Sequence, residues 1–212
     1  MRLVLASASP RRAELLRAAG FTFETIVADV DERVRSQESA ATHVRRLAAE
    51  KSAAALAALK GCATSEREPA AQTFRPAGTV ILGADTVVVV DGEILGKPRD
   101  DQESAAMLRR LSGRRHEVMT GLSVRQEAFE VGRVETTAVW FSPLTKEDIE
   151  WYVASGEGRD KAGAYAIQGL AARFIPRIDG SYSNVVGLPI AAVAELYRSV
   201  LASHPETGYS DG

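Results

Sequence analysis

Hydrophobic positions near the start of the chain form strand-length runs separated by a helical pattern. The first apolar run, at residues 3–6, meets two serines and a proline and continues into a helical pattern that ends at Gly20. This order predicts a strand, a tight turn and a helix. Residues 21–27 are rich in β-branched and aromatic side chains and predict a second strand.

The second half of the chain is typical of paired strands separated by helices. Asp91-Gly92 lies between two apolar runs and predicts a two-residue hairpin within residues 79–98. Asp100 predicts the N-cap of a helix that ends at Leu111. The other predicted elements are an antiparallel strand pair at 116–124 and 131–141, a helix from Thr145 to Gly156, a strand over 174–178, a loop over 180–184 and a helix over 189–202.

Three stretches lack periodicity and predict loops. Residues 62–78 form a long polar segment that indicates an insertion, and residues 204–212 indicate a flexible tail. Residues 158–169 are too rich in glycine for a helix and too polar for a core strand. Because binding residues are often found on such loops, this third stretch is a candidate part of a functional site. We expect residues 1–203 to form a single domain.

Composition narrows the class of protein. A chain of 212 residues, 45% hydrophobic and 25% charged, is long enough for one large domain or two small lobes with a buried core. A net charge of −2 argues against a general nucleic-acid binder. The single cysteine, Cys62, excludes an internal disulfide and a zinc site built on a cysteine cluster. Because no apolar run reaches membrane-span length and the N-terminus lacks a signal-peptide layout, we expect a cytoplasmic protein without membrane contact.

The start of the first predicted helix suits an anion. Ser9 is the expected N-cap and Pro10 the first helical residue, which leaves backbone N–H groups free at the positive end of the helix dipole. Arg11 and Arg12 add two cations in the first turn, where stability alone favours acidic residues. The pattern predicts a phosphate site. The alternative is that both arginines are ordinary solvated residues.

A long apolar stripe predicts a helix from Ser36 or Ser39 to Leu59, closed by Gly61. Lys51 lies within this stripe. Its ammonium group either reaches out to solvent along an apolar stem or is presented to a cleft, and the sequence leaves both readings open.

Carboxylates occur at two places that suit a polyphosphate and its metal. Residues 29–32 are acidic and follow a predicted strand, so they form either a solvated loop or a magnesium-holding segment. Asp85 lies inside an apolar strand and needs a cation, a metal or hydrogen-bond donors. Gly83 permits a close approach beside it, and Lys97 ends the return strand. A satisfied structural aspartate is the alternative to a catalytic one.

Five segments together resemble the Maf family of nucleoside triphosphate pyrophosphatases, in the right order and over nearly the whole chain. They are Ser-Ala-Ser-Pro-Arg-Arg at 7–12, Gly-Ala-Asp-Thr at 83–86, Gly-Lys-Pro at 96–98, Asp-Lys-Ala-Gly-Ala-Tyr-Ala-Ile-Gln-Gly at 160–169 and Gly-Ser-Tyr-Ser-Asn-Val-Val-Gly-Leu-Pro at 180–189. The long segment at 62–78 departs from the family pattern.

The resemblance implies a mixed α/β fold like that of the inosine triphosphate pyrophosphatases, with a largely antiparallel sheet, flanking helices, two lobes around a central cleft and a homodimer. It implies cleavage of a nucleoside triphosphate between the α and β phosphates with Mg²⁺ or Mn²⁺. The family's proton acceptor falls on Asp85, which with Glu32 is also the expected metal site. The residues expected to bind substrate or phosphate are Ser7, Ser9, Arg12, Lys51 and Lys97.

Three positions distinguish the branch of the family that acts on dTTP and UTP from the branch that acts on 7-methyl-GTP. They fall on Arg11, Thr86 and Gln168, and all three resemble the dTTP/UTP branch. The resemblance therefore implies hydrolysis of dTTP and UTP, together with removal of modified pyrimidine nucleotides and a link to cell-division arrest.

The implied reaction is in-line attack of water on the α-phosphorus with Asp85 as general base. Two other functions compete with it. One is a regulatory nucleotide-binding module that acts on cell division, which would have no use for a buried carboxylate facing phosphates. The other is a single-strand nucleic-acid binder with tyrosines as stacking platforms, which the acidic balance disfavours.

Overall fold

The computed structural model describes residues 2–63 and 78–203. Its strands are β1 (Arg2–Ala6), β2 (Phe23–Ile26), β3 (Thr79–Val90), β4 (Glu93–Leu95), β5 (Arg115–Gln126), β6 (Phe129–Trp140) and β7 (Arg177–Asp179). Its helices are α1 (Pro10–Ala18), α2 (Ala40–Ala63), α3 (Asp101–Leu111), α4 (Lys146–Ala154), α5 (Tyr182–Val186) and α6 (Ile190–Ser203), with 3₁₀ turns at Ala162–Ala164 and Leu170–Phe174. Most of the predicted insertion at 62–78 and the predicted tail at 204–212 lie outside the described residues.

The strands form one mixed sheet in the order β2-β1-β3-β5-β6-β7, and β4 also pairs with β3. β1 runs parallel to β2 and β3, whereas the four pairings β3·β4, β3·β5, β5·β6 and β6·β7 are antiparallel. The predicted mixed, largely antiparallel α/β fold with flanking helices is therefore confirmed. Within residues 2–63 and 78–203, no helix combines the length and apolarity that crossing a membrane requires.

Local signals set several element boundaries as predicted. Asp91 and Gly92 both have positive φ, 54° and 78°, as the tight turn between β3 and β4 requires. Asp100 caps α3 by accepting a hydrogen bond from the Glu103 N–H at 2.7 Å. Thr145 and Asp148 form a capping box at the start of α4.

Three predictions of where an element lies or ends are wrong. Gly61 does not close α2, which continues to Ala63, because Gly61 does not adopt the positive φ of a C-terminal glycine. The predicted strand at 174–178 begins only at Arg177, since Phe174 ends a 3₁₀ turn and packs edge-on against Tyr152 in the core. The predicted loop at 180–184 contains the start of α5, which Ser181 caps.

The sheet has a break along one edge of β3. β1 pairs with this edge as far as Gly83, and β4 pairs with it from Val88 onward. β5 pairs with the opposite edge without interruption from Ile81 to Val89. Residues 84–87 of β3 therefore have a strand neighbour on one side only, and we call these four residues the β3 gap.

The apolar core divides at the β3 gap. Val80 and Leu82, before the gap, pack in a cluster with residues of α1 and α6. Val88 and Val90, after the gap, pack in a second cluster with residues of α3 and α4. An arrangement of two lobes around a cleft would require such a division of the core. The two-lobe arrangement itself stays a prediction.

Helix α2 lies directly against the opposite face of β3. A Cβ atom on Gly83 would overlap the Ala48 carbonyl oxygen and lie 2.9 Å from the Ser52 backbone nitrogen. Gly121 on β5 is in equally close contact with the backbone of α2. The glycines thus let the helix approach closely enough for Lys51 to reach the sheet, which confirms the close approach expected at Gly83.

Gly83→Ala is therefore expected to destabilise the protein by about 3 kcal/mol, because backbone atoms of α2 have no rotamer with which to avoid the new methyl group. Urea unfolding monitored by circular dichroism measures the change. Gly61→Ala is the matched control, since a Cβ there meets no atom within 4 Å and should stabilise α2 slightly. Equal stability of the two variants would contradict the close packing of α2 on β3.

Candidate active site

Several residues predicted to form the site converge on the β3 gap. Ser7 follows the last residue of β1, and Lys97 lies two residues after the end of β4. Asp85 and Thr86 belong to the gap itself. Because β1 and β4 end on either side of the gap, the segments that leave these two strands border the part of β3 that carries Asp85.

Asp85 and Lys51 form a buried ion pair. The Lys51 Nζ donates to Asp85 Oδ1 at 2.7 Å, and the lysine is only 7% exposed. Glu32 Oε1 lies 2.6 Å from the same Nζ, although 53% of its side chain is exposed. The reading in which Lys51 extends to solvent is therefore wrong, since two carboxylates hold its ammonium group beside the gap.

Neighbouring positive charges favour the ionised form of the Glu32 carboxyl group. Partial burial alone would raise the pKa of its carboxyl group, but the hydrogen bond and positive charge of Lys51 outweigh burial and bring the pKa below its ordinary value. Lys97 is exposed and lowers the pKa of Glu32 further through its charge. The structure thus places Glu32, Lys51, Asp85 and Lys97 in one electrostatic group.

Arg12 is buried and holds the walls of the gap together. Its Nε donates to the Gly187 carbonyl at 2.8 Å, and its Nη1 donates to the Ala84 carbonyl at 2.9 Å and to Ser7 Oγ at 3.2 Å. Its Nη2 donates to Thr86 Oγ1 at 2.9 Å. Burial lowers the pKa of this guanidinium, while the charge of Asp85 counteracts the shift. A guanidinium has five N–H donors, and four of those of Arg12 are used by these partners within residues 2–63 and 78–203.

The start of α1 is arranged as predicted. Ser9 is the N-cap and Pro10 the first helical residue, and no side chain in the described part of the chain caps this end. The Ser9 backbone N–H donates to Ser7 Oγ at 3.2 Å. The N–H groups of the first turn therefore stay available for an anion at the positive end of the helix dipole.

The three predicted specificity positions lie in different surroundings. Arg11 is 3.8 Å from the carboxylate of Asp160, which links α1 to the loop at 158–169. The Thr86 hydroxyl group is hydrogen-bonded within the protein, since its Oγ1 accepts from Arg12 and lies 2.9 Å from Thr120 Oγ1. Gln168 is exposed, and within residues 2–63 and 78–203 its amide has no hydrogen-bond partner. Thr86 therefore lies in the β3 gap, whereas no contact among the described residues connects Gln168 to the gap.

The two carboxylates around Lys51 are oxygen donors of the type that hard divalent cations take as ligands. Asp85 Oδ1 and Glu32 Oε1 are each within 2.7 Å of the Lys51 Nζ, so the ammonium group occupies the position between the two carboxylates in this structure. Among the described residues, no group of three or more histidine, cysteine, aspartate or glutamate side chains is arranged to hold a metal. A hard cation here would need further oxygen ligands, which phosphates and water supply.

Two residues of the site have no assigned role from the sequence. Gly187 supplies the carbonyl that fixes Arg12, and Thr120 on β5 holds Thr86 from behind. Gly187 lies within one of the recognised motifs, but nothing local indicates a contact with a residue 175 positions earlier. Thr120 is one polar residue in an alternating strand, which is usually a sign of a solvated face.

The fold and this cluster define a mixed α/β protein with a charged site at a break in its sheet. The sequence profile described as "Maf-like protein" matches residues 2–200, and the chain belongs to this family. The resemblance found in the motifs is thereby confirmed.

Relatives match over almost their whole length. A dTTP/UTP pyrophosphatase of Vibrio parahaemolyticus is 46% identical over 199 residues, covering 94% of this chain and 97% of that one. Proteins of the same name from Symbiobacterium thermophilum and Escherichia coli O157:H7 are 48% and 45% identical, covering 92% and 99% of this chain and 91% and 98% of theirs. The structure of the Staphylococcus aureus Ham1 protein superposes with a TM-score of 0.48 at 15% identity, over 96% of this chain and 100% of that one.

Proposed function

We propose that this protein hydrolyses dTTP and UTP to the nucleoside monophosphate and pyrophosphate. The observation that carries the proposal is the buried Asp85–Lys51 pair at the β3 gap, next to the open start of α1. A carboxylate and a helix N-terminus together suit water activation beside a phosphate chain. The name shared by the three relatives, dTTP/UTP pyrophosphatase, supports this choice of reaction and substrate.

In the proposed reaction, Asp85 accepts a proton from a water molecule as the water oxygen attacks the α-phosphorus. A new P–O bond forms, and the bond from the α-phosphorus to the oxygen that bridges the α and β phosphates breaks. Pyrophosphate leaves with that bonding pair. Lys51, which lies 2.7 Å from Asp85, stabilises the carboxylate before proton transfer and the phosphate charge as it develops.

In this proposal, different cationic and hydrogen-bonding groups around the β3 gap bind different parts of the triphosphate. Lys97 is exposed beside Glu32 and is free to follow the leaving pyrophosphate. The first-turn N–H groups of α1, together with Ser7 and Ser9, bind phosphate oxygens. Arg12 contributes one N–H and otherwise keeps Ala84 and Gly187 in place.

We propose further that Mg²⁺ or Mn²⁺ binds at Glu32 and Asp85. Two converging carboxylates and the substrate's phosphate oxygens fit such a hard cation. When bound, the metal supplies neutralisation of the charge on the phosphates.

Release of pyrophosphate from a panel of triphosphates tests the proposal. dTTP and UTP should be cleaved well, and 7-methyl-GTP, ATP and GTP poorly. Binding of dTTP without turnover would favour the regulatory module instead. The nucleic-acid reading has less support, because the chain carries a net charge of −2. Tyr152 and Tyr165 are core residues, whereas Tyr182 is 48% exposed. A single-stranded oligonucleotide should therefore not compete with dTTP.

Base choice is proposed to depend on Gln168, with Arg11 and Thr86 shaping the neighbouring pocket. An amide offers both a donor and an acceptor, which match O4 and N3–H of thymine or uracil. Gln168→Glu removes the donor, so kcat/KM for dTTP should fall by about tenfold or more while CTP is affected less. Equal losses on dTTP, UTP and CTP would mean that Gln168 shapes the loop without reading the base.

We extend the proposal to the finer properties that the family resemblance implies. They are a homodimer in the cytoplasm, removal of modified pyrimidine nucleotides and a link to cell-division arrest. Analytical ultracentrifugation tests the dimer. Expression of an inactive variant beside the wild type tests whether arrest depends on catalysis.

A further inference from the structure

The position of Glu32 depends on a segment without regular structure. Residues 27–39 connect β2 to α2 and contain neither helix nor strand. Glu32 is half-exposed within this segment, and among the described residues it forms a salt bridge with Lys51. A side chain on such a segment stays at the gap only if the backbone around it is anchored.

Arg46 on α2 provides such an anchor. Its Nε and Nη2 donate to the two carboxylate oxygens of Glu38 at 2.6 and 2.8 Å, and its Nη2 also donates to the Arg33 carbonyl at 3.2 Å. Arg33 is the residue next to Glu32. One guanidinium therefore holds both the backbone beside Glu32 and the far end of the segment.

Glu38 is unusually well held for a residue in a coil. Its side chain is only 5% exposed, and it also accepts a hydrogen bond from the Arg35 backbone N–H at 3.0 Å. The hydrogen bonds of Arg46 keep the pKa of the Glu38 carboxyl well below its ordinary value against the opposing effect of burial. Glu50, one turn further along α2, joins Arg46 and Arg35.

The contacts follow the geometry of one helix. Arg46 and Lys51 are five residues apart on α2, a rise of about 7.5 Å. Lys51 holds the Glu32 side chain, and Arg46 holds Arg33 and Glu38. The stretch from residue 32 to residue 38 is thus fastened to α2 at both ends.

We propose that Arg46 and Glu38 are positioning residues, which fix the 27–39 segment so that Glu32 stays at Lys51 and Asp85. This inference rests on the proposed function for its catalytic consequence, but not for the anchoring itself. A salt bridge that serves stability alone is the competing explanation.

Hydrogen–deuterium exchange of the full chain tests the anchoring without any ligand. In Arg46→Ala, the amides of residues 27–39 should exchange at least about tenfold faster, including the Arg35 amide that Glu38 now protects. Arg45→Ala is the matched control, because Arg45 is the adjacent residue of α2 but binds Glu130 on β6. Unchanged exchange in 27–39, or the same increase in both variants, would overturn the proposal.

Initial rates test the consequence for Glu32. Arg46→Ala should lower kcat/KM for dTTP by about tenfold or more, as expected when a distant change misplaces a reacting group. In a Glu32→Gln background the same substitution should change kcat/KM less than twofold, because no positioned carboxylate is left to lose. Arg46→Lys should restore only part of the rate, since an ammonium cannot reproduce the forked contact.

The outcomes separate the two proposals. An equal loss in both backgrounds would leave Arg46 a stability residue and overturn the positioning role. A wild-type protein that releases no pyrophosphate from any nucleoside triphosphate would contradict the proposed function, while the exchange experiment would still decide the anchoring of residues 27–39.

Discussion

Asp85→Asn is expected to lower turnover of dTTP by about 10²-fold or more while leaving the fold intact, as removal of a general base does. The amide keeps the shape of the side chain, and its oxygen can still accept the hydrogen bond that Lys51 donates at 2.7 Å. Lys51 also retains Glu32 as a partner. What the variant loses is the carboxylate that accepts the proton from water in the proposed reaction.

Single-turnover rates, dTTP binding by calorimetry and thermal unfolding measure these three properties separately. Glu130→Gln is a suitable control, because Glu130 is a partly buried carboxylate that pairs with Arg45 and Ser123 away from the gap. Its turnover per folded molecule should match the wild type. A folded Asp85→Asn protein with wild-type turnover would remove Asp85 from the proposed reaction.

Lys51→Ala is expected to reduce both activity and stability. The substitution leaves Asp85 buried without its cation, and breaking a buried pair from one side costs about 3–5 kcal/mol. Turnover should fall by about 10²-fold or more, since in the proposed reaction the same ammonium group stabilises the charge that develops on the phosphates. Lys60→Ala, an exposed position on the same helix, should leave both properties unchanged.

A double variant distinguishes the two effects of Lys51. Adding Asp85→Asn to Lys51→Ala removes the uncompensated charge and should recover most of the lost stability without restoring turnover. Urea unfolding and pyrophosphate release measure the two quantities. If the double variant is no more stable than Lys51→Ala, the ion pair is not the source of the stability loss.

Much of the fold could be predicted because its signals are local. Asp91-Gly92, Asp100 and Thr145 each specify a turn or a cap through their own backbone preference and hydrogen bonds, and each lies where the sequence places it. Phe174 is a position where the local pattern predicts the wrong structure. Its apolar neighbours predict a strand, but Phe174 ends a 3₁₀ turn and its ring packs against the Tyr152 ring.

Some residues of the candidate site can also be predicted from the sequence, whereas the contacts of others are seen only in the structure. Asp85 stands out in the sequence because a carboxylate within an apolar strand is costly without a partner. Lys51 is ambiguous, since its stem suits either solvent or a cleft, and only the carboxylate 2.7 Å away decides the direction. Glu38 and Arg46 look like ordinary surface charges in the sequence, yet in the structure they pair across eight positions of the chain.

Most of the elements, their caps, the family and the candidate site residues could be predicted from the sequence, because they depend on short stretches of chain. The tertiary structure alone decided that β1 and β4 end on either side of residues 84–87 and so open the sheet at Asp85. It also decided that Arg12 is fixed by a carbonyl 175 residues away. Such contacts depend on which distant segments pack together, and the balance of burial and hydrogen bonding over the whole chain sets that packing.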